Sequence, residues 1–245
     1  MPTPHDMRRN GKRFNWNRIS TVLLDMDGTL LDKYYDDYFW EQFLPEVYGH
    51  KNGLDVARAR QELFKRYRSV KYTLMWTDLD YWSETLGLDI VSLKKKIDHL
   101  IAVLPHVNEF LAFLKEQNKS VYLVTAAHQK SVDIKMDRVN LRHFFDRLIC
   151  ADELGKPKED RRFWQELEEQ LDFDRSETLF ADDNLDVLRA ARGHGIRHLV
   201  HMARPSSKEP VKYSDDYPSI ATFGELMEGF SALSHNPIVS RAPVR

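Results

Sequence analysis

Two aspartates, Asp25 and Asp27, directly follow the apolar run 22–24 and are separated by one residue. A carboxylate in the turn that leaves a strand can attack phosphorus and divide ester hydrolysis into two easier steps through an aspartyl-phosphate. The second carboxylate is close enough to protonate the leaving oxygen and then to deprotonate the attacking water. Gly28 would supply the tight turn after them. The segment therefore predicts hydrolysis of a phosphate monoester, with Asp25 as nucleophile and Asp27 as acid and base.

The concentrated negative charge of this turn predicts a bound cation, because phosphate and two unpaired aspartates would repel one another in a crevice. Mg2+ prefers oxygen ligands, usually one or two carboxylates together with substrate oxygen and water. Asp25, the carbonyl group of Asp27 and a later aspartate, Asp183, are the predicted metal ligands. Mg2+ is therefore the predicted cofactor.

The phosphoryl group of a substrate needs hydrogen-bond donors and positive charge. The hydroxyl of Thr125 and the backbone N–H of Ala126 are predicted to bind phosphoryl oxygens. Lys158 or Lys156 would hold the nucleophile and the phosphate in place as a point charge. The predicted site thus draws on four separate parts of the chain.

The elements that must position these residues are the strands of an α/β fold. Short apolar runs alternate with amphipathic helical patterns, which is typical of buried parallel strands. The carboxyl ends of such strands meet at one crevice, so Asp25, Thr125 and the pair Asp182-Asp183, which each end a run, are expected to converge. The predicted strands are residues 22–24, 121–124, 148–149, 179–181 and 196–200.

A long connection separates the first two predicted strands. It far exceeds the dozen or so residues that a minimal crossover requires. Residues 33–104 contain no convincing strand, whereas Val56, Leu63 and Val70 follow helical spacing. We predict a helical cap over residues 33–104, inserted into a core of residues 19–32 and 105–230. Residues 125–158 leave room for only a helix, a strand and loops, so a second cap is not expected.

Composition and charge narrow the class of protein. The 245 residues, 42% hydrophobic and 30% charged, are typical of a folded globular chain. Because 36 Lys and Arg balance 38 Asp and Glu, no global field favours nucleic acid or a membrane, and a small-molecule partner is expected. The single cysteine and the lack of a membrane-length apolar run favour a cytoplasmic location. Nothing in the sequence favours a particular oligomeric state.

The two ends of the sequence differ from its middle. Residues 1–18 are polar and basic and are predicted to form an N-terminal extension, with a nucleic-acid-binding arm over residues 8–18 as the less favoured alternative. Residues 231–245, which include two prolines, are predicted to form a flexible tail.

The candidate site residues resemble the four ordered motifs of the haloacid dehalogenase superfamily of phosphatases. The resemblance implies a Rossmann-like core, Mg2+ and an aspartyl-phosphate mechanism, and the insertion resembles the helical C1-type cap of one subclass. Members that dehalogenate carbon lack the second aspartate, so its presence favours phosphoryl chemistry. The residues that carry the resemblance are Asp25-x-Asp27-Gly28-Thr29, Thr125, Lys158 and Asp182-Asp183.

The resemblance extends into the predicted cap. Because cap residues help to choose the substrate in this superfamily, similarity there favours the purine 5'-nucleotides GMP and IMP over other phosphate esters. The stretches concerned are similar to those of bacterial GMP/IMP nucleotidases and comprise residues 23–32, 38–40, 80–84 and 157–160.

Two positions depart from the usual motifs. Ala126 and Ala127 follow the motif threonine where many relatives carry Asn or Gly, although backbone contacts would survive this change. Many members place a proline after the motif lysine, as in Lys156-Pro157. The nucleotidase-like alignment and the spacing to the following helix nevertheless favour Lys158.

Several assignments stay open. Asp183 is assigned as the direct metal ligand and Asp182 as its supporting neighbour, with the reverse also allowed. A phosphatase for a sugar phosphate or another small ester, or a phosphomutase, is the alternative within enzymes. A ligand-binding protein that has kept the fold but lost turnover is the alternative from another class, and the intact carboxylates speak against it.

Aromatic side chains are frequent in the predicted cap. Rings could stack on a purine, but for any single ring packing is favoured, because a small helical insertion needs large side chains to bury enough area. His128, just after the motif threonine, could touch the leaving group, but a position at a helix N-terminus or in solvent is favoured. The cap aromatics are Tyr34, Tyr35, Tyr38, Phe39, Trp40, Tyr72, Trp76, Tyr81 and Trp82.

Overall fold

A parallel sheet of six strands forms the centre of residues 15–227, the part of the chain that the computed structural model describes. Its order is β3-β2-β1-β4-β5-β6, so the chain starts in the middle and extends the sheet in both directions. The α/β fold with a Rossmann-like sheet is confirmed. The strands are β1 (Thr21–Leu24), β2 (Ser120–Thr125), β3 (Arg147–Cys150), β4 (Thr178–Asp182), β5 (His198–Met202) and β6 (Ser219–Ile220).

The predicted strands coincide with β1 to β4, whereas the fifth begins two residues later than expected. Ile196 still lies in the turn that closes the preceding helix, because its backbone N–H donates to the carbonyl of Ala191 at 3.2 Å. Gly195 makes this helix end possible with a φ of 108°. The two-residue strand β6 was not predicted, since so short an edge carries no alternation of its own.

Helices fill the long connection between β1 and β2. A π-helical turn (Phe39–Phe43) joins the first two of them. No helix in residues 15–227 has both the length and the apolar character to cross a membrane. The helices are α1 (Tyr34–Tyr38), α2 (Leu44–Asn52), α3 (Val56–Val70), α4 (Leu79–Leu86) and α5 (Ile90–Lys96), with 3-10 turns at Leu74–Trp76 and Asp98–Leu100.

The two ends of this helical insertion lie side by side. Leu31 and Val103 form an isolated antiparallel bridge, and the backbone N–H of Leu104 donates to the carbonyl of Leu30 at 2.9 Å. The chain therefore leaves and re-enters the sheet region at one place. Residues 33 and 104, the predicted cap boundaries, lie next to it, and the division into two domains stays a prediction.

Further helices cover both faces of the sheet. Alternate residues of β1 point into different apolar clusters, with Val22 and Leu24 in one and Leu23 in the other, which explains why the whole strand is buried. The covering helices are α6 (Val107–Glu116), α7 (Gln129–Val139), α8 (Arg161–Leu171), α9 (Leu185–His194) and the short α10 (Gly224–Met227), with a 3-10 turn at Arg142–Phe144.

The last residues of the predicted N-terminal extension pack against the core. Trp16 begins a 3-10 turn (Trp16–Arg18) and is only 1% exposed. Its ring lies 5.7 Å from Phe110 and 5.2 Å from Phe113, and its indole N–H donates to the carbonyl of Leu226 at 3.0 Å. A large ring with a satisfied N–H buries enough apolar area to fold back onto the core. Residues 1–14 and the predicted tail, 231–245, lie outside the described residues.

Replacing Trp16 with Ala is expected to lower the free energy of unfolding by about 3–5 kcal/mol, because the ring leaves a cavity against α6. Urea unfolding followed by circular dichroism measures the change. Trp16→Phe, which keeps a ring but loses the hydrogen bond, should cost clearly less. A loss below about 1 kcal/mol for the alanine variant would contradict this account of Trp16.

Candidate active site

Three aspartates meet at the carboxyl ends of β1 and β4. The backbone N–H of Asp25 donates to the carbonyl of Ala181 at 3.1 Å, which holds the two strand ends side by side. Asp182 ends β4 and Asp183 follows it. Carboxylate oxygens of the three aspartates all lie within 4.8 Å of one another. This much negative charge requires nearby cations, and its oxygen donors are those that Mg2+ prefers.

Lys158, in the loop before α8, supplies a fixed positive charge to this cluster. Its buried Nζ lies 2.7 Å from Asp25 Oδ1, 2.7 Å from Asp182 Oδ2 and 2.9 Å from the carbonyl oxygen of Val124. Burial opposes the charged ammonium, yet the carboxylates of Asp182 and Asp25 raise the pKa of Lys158 above its usual range. Trp164 donates its indole N–H to the Lys158 carbonyl at 2.8 Å and so holds the loop in place.

The second candidate lysine lies outside this cluster. Lys156 is half-buried, and its Nζ contacts the carbonyl oxygen of the neighbouring Gly155 at 3.2 Å. The structure therefore brings Lys158 rather than Lys156 to the aspartates.

The two aspartates after β4 have different surroundings. Asp182 is 1% exposed, and both its oxygens are engaged, since Oδ1 accepts from the backbone N–H of Asn184 at 2.7 Å and Oδ2 contacts Lys158. Both aspartates line the cavity described below, but the Asp183 carboxylate has one ion-pair contact, from its Oδ2 to Nζ of Lys33 at 3.2 Å. Asp183 is thus the less occupied carboxylate, which suits its assignment as a direct metal ligand.

The turn after β1 carries Asp27 into the same region. Asp27 is half-buried, and its Oδ1 lies 2.6 Å from Nζ of Lys135 on α7. Burial raises the pKa of Asp27 to about 7, against the opposing charge of Lys135. A carboxyl group that titrates near neutrality can both give and take a proton.

Gly28 lets this turn pack against the other half of the site. Its φ is +82°, and a Cβ added there would lie 2.7 Å from Asp183 Oδ2 and 2.9 Å from Pro205 Cβ. Both the backbone conformation and the available space therefore require glycine.

Thr125 and Ala126 lie at the end of β2 and line the same cavity as Asp25. The buried Thr125 hydroxyl accepts a hydrogen bond from the backbone N–H of Ala127 at 3.1 Å. His128 is the N-cap of α7, where Nδ1 accepts from the backbone N–H of Lys130 at 3.3 Å. The segment after β2 thus places Thr125 and Ala126 at the cavity, and α7 begins directly after it.

A cavity of about 310 Å³ connects the aspartates to the helical insertion. Part of its lining is an aromatic wall, defined as Trp40, Tyr67, Trp76 and Trp82. The Tyr67 ring lies 5.6 Å from Trp40, 5.1 Å from Trp82 and 6.2 Å from Trp76, so these rings also pack on one another. Apolar walls with a few polar groups at one end are typical of small-molecule sites.

Several charged residues at the cavity were missed in the sequence, among them Lys33, which contacts Asp183. Lys135, Asp36 and Lys94 all line it. A signal existed for Lys135, since it lies three residues after the buried Val132 and therefore on the same side of α7. A lysine on the apolar face of an amphipathic helix must find a carboxylate partner, which the sequence does not name.

The fold and this arrangement agree with the comparison with known families. Residues 19–195 match the haloacid dehalogenase-like hydrolases. The chain belongs to this family, and the prediction that it is an enzyme of the hydrolase class is confirmed.

Individual relatives are similar to this protein over most of its length. Over 212 residues it is 37% identical to the GMP/IMP nucleotidase YrfG of Escherichia coli (strain K12). The aligned region covers 86% of this chain and 96% of that protein. It is 23% identical over 185 residues to a phosphorylated carbohydrates phosphatase of Thermotoga maritima, covering 74% and 84%. The crystal structure of a HAD phosphatase from Thermococcus onnurineus superposes with a TM-score of 0.72 at 23% identity, covering 86% and 97% of the two chains. That structural likeness concerns the fold alone.

Proposed function

We propose that this hydrolase is a Mg2+-dependent phosphatase of phosphate monoesters that acts through an aspartyl-phosphate on Asp25. One observation carries the proposal. Asp25 is held by Lys158 beside Asp182 and Asp183, while Asp27 enters the same cavity two residues further along. A nucleophile, a fixed cation and a proton-transfer group thus share one site.

The residues of this cluster fit a hard divalent cation. Asp25, Asp183 and the backbone carbonyl of Asp27 are the proposed ligands of Mg2+, because three acidic side chains converge there with oxygen donors only. Mg2+ would supply charge neutralisation and polarisation of a phosphoryl oxygen. Asp182 would support this set from its contact with Lys158.

The proposed reaction has two steps. An Asp25 oxygen attacks phosphorus and the bond to the leaving oxygen breaks, while Asp27 gives that oxygen its proton. A water molecule then attacks the phosphorus of the aspartyl-phosphate, Asp27 takes a proton from the water, and inorganic phosphate leaves Asp25. The Thr125 hydroxyl, the Ala126 N–H and Lys158 are proposed to bind the phosphoryl oxygens in both steps.

The proposed substrates are purine 5'-nucleotides, with GMP and IMP ahead of other esters. The likeness to YrfG supports this, as it spans 86% of the chain and therefore includes most of the insertion. The aromatic wall supports it too, because a purine needs an apolar surface a short distance from its phosphate. The reaction is proposed to take place in the cytoplasm on free small molecules.

Phosphate release from a panel of esters tests the proposal. The panel contains GMP, IMP, AMP, pyrimidine nucleotides and sugar phosphates, each assayed with Mg2+, after chelation and after return of Mg2+. GMP and IMP are expected to give the highest kcat/KM, and chelation is expected to remove turnover reversibly, because the ligand carboxylates then face the phosphate unneutralised.

Each other outcome corrects a defined part of the proposal. Preference for sugar phosphates would overturn the nucleotide assignment and retain the mechanism. Accumulation of an isomeric ester with slow phosphate release would instead indicate a phosphomutase. Turnover that persists without a divalent ion would contradict the Mg2+ requirement, and silence across the panel would contradict catalysis.

A further inference from the structure

A chain of four alternating charges runs from Asp27 into the helical insertion. Nζ of Lys135 lies 2.6 Å from Asp27 Oδ1 and 2.6 Å from Asp36 Oδ2. The other oxygen of Asp36 lies 2.7 Å from Nζ of Lys94. Lys135 belongs to α7 of the core, whereas Asp36 and Lys94 belong to α1 and α5 of the insertion. The insertion therefore contacts Asp27 through one core lysine.

Both lysines of this chain are buried, with side-chain exposures of 2% for Lys135 and 1% for Lys94. A buried ammonium is tolerated only where carboxylates and other groups replace its water. Nζ of Lys94 also lies 4.5 Å from the ring centre of Phe39 and 4.7 Å from that of Tyr35, within cation–π range. Little freedom is left to either side chain, so the pair fixes Asp36 and, through it, Lys135.

The contact with Lys135 leaves Asp27 half engaged. Its Oδ1 is held, and within residues 15–227 the Asp27 carboxyl makes no hydrogen bond other than the one from Lys135. Asp27 faces the cavity, so its second oxygen is available to a leaving group or a water molecule. Holding one oxygen and presenting the other is what a positioned proton-transfer group requires, since such catalysis depends on geometry first.

A purely structural role would not need this arrangement. Asp36 already neutralises Lys94 within the insertion. Other ion pairs, such as Lys130 with Asp80, already join the insertion to the core. Lys135 instead divides its contacts between the insertion and the proposed acid and base.

We propose that Lys135 is a positioning residue for proton transfer by Asp27, and that Asp36 and Lys94 of the insertion hold Lys135 in place. The inference rests on the proposed function, because it requires Asp27 to protonate the leaving oxygen. It assigns to the insertion a part in the chemical step as well as in substrate binding.

The test compares two leaving groups. An alkyl ester, IMP or the best ester of the panel, leaves as an alkoxide that must be protonated, whereas p-nitrophenyl phosphate leaves as a stable phenolate. In Lys135→Met, kcat/KM for the alkyl ester should fall roughly a hundredfold, while kcat/KM for p-nitrophenyl phosphate stays within about threefold. The ratio of the two kcat/KM values reports the first chemical step, because release of the leaving group commits the substrate to hydrolysis.

Matched variants keep the test independent of folding. Lys130→Met removes a lysine from the same helix that also pairs with the insertion, and its ratio should equal that of the parent. Asp36→Asn should shift the ratio in the same direction as Lys135→Met, and it takes the place of Lys135→Met if Lys135→Met fails to fold. Lys135→Arg, which keeps the positive charge, should return the ratio part of the way to that of the parent. In an Asp27→Asn background the Lys135→Met change should add little, since both act on one group.

The results separate the two proposals. A parent that hydrolyses neither ester with Mg2+ would overturn the proposed function. With an active parent, equal losses for both esters in Lys135→Met and Asp36→Asn, no loss for either, or the same selective loss in Lys130→Met would overturn the positioning role of Lys135.

Discussion

Replacement of Asp25 by Asn is expected to lower kcat/KM by about ten-thousandfold or more, because the amide is a poor nucleophile and no aspartyl-phosphate forms. The side chain keeps its size beside Lys158, so the fold should persist. Phosphate release with Mg2+ measures the loss, and acid quenching during turnover should trap a covalent phosphoenzyme in the parent alone.

Asp172→Asn serves as the matched control. Asp172 is exposed and ends α8 in the left-handed region, with a φ of 49°, which asparagine also tolerates. Parental activity is expected for this variant. An Asp25→Asn protein that keeps more than about a tenth of the parental activity would show that Asp25 is not the nucleophile.

Replacement of Lys158 by Met is expected to damage both activity and stability. It leaves the carboxylates of Asp25 and Asp182 buried without their shared cation, and breaking a buried ion pair in this way costs about 3–5 kcal/mol. Turnover should fall by roughly a hundredfold or more, because the phosphoryl group loses a preorganised charge. Urea unfolding and phosphate release measure the two effects.

Lys156→Met separates the two candidate lysines. Its ammonium contacts only the neighbouring Gly155 carbonyl among the described residues, so parental stability and activity are expected. A larger loss of turnover in Lys156→Met than in Lys158→Met would reverse the assignment of the phosphate-binding lysine.

Much of the fold followed from local patterns in the sequence. Runs such as 179–181 are apolar throughout because both faces of β4 are covered, and this pattern distinguishes a parallel strand from a half-exposed one. The convergence of Asp25 with Asp182 and Asp183 followed from a general rule on strand ends rather than from any contact visible in the sequence.

Features that depend on distant partners did not follow from the sequence. Trp16 reads as part of a polar segment, and only the pocket formed by Phe110, Phe113 and the Leu226 carbonyl buries it. Lys135 is comparable, because its partners Asp27 and Asp36 lie about a hundred residues away along the chain. Local spacing shows that such a side chain is unusual, but the fold decides what it meets.

The hydrogen bond between Trp16 and Leu226 also has a practical consequence for protein engineering. It joins Trp16 and Leu226, near the two limits of the described residues, on the side of the sheet where β1 begins. Asp25 lies at the other end of β1, where the strand finishes. In a chain shortened to residues 15–227, a short linker between the new ends would therefore close the chain without approaching the cavity. New ends opened near the exposed Gly53, in the loop between α2 and α3, would give a circular permutant in which the chain stays uncut next to every motif residue.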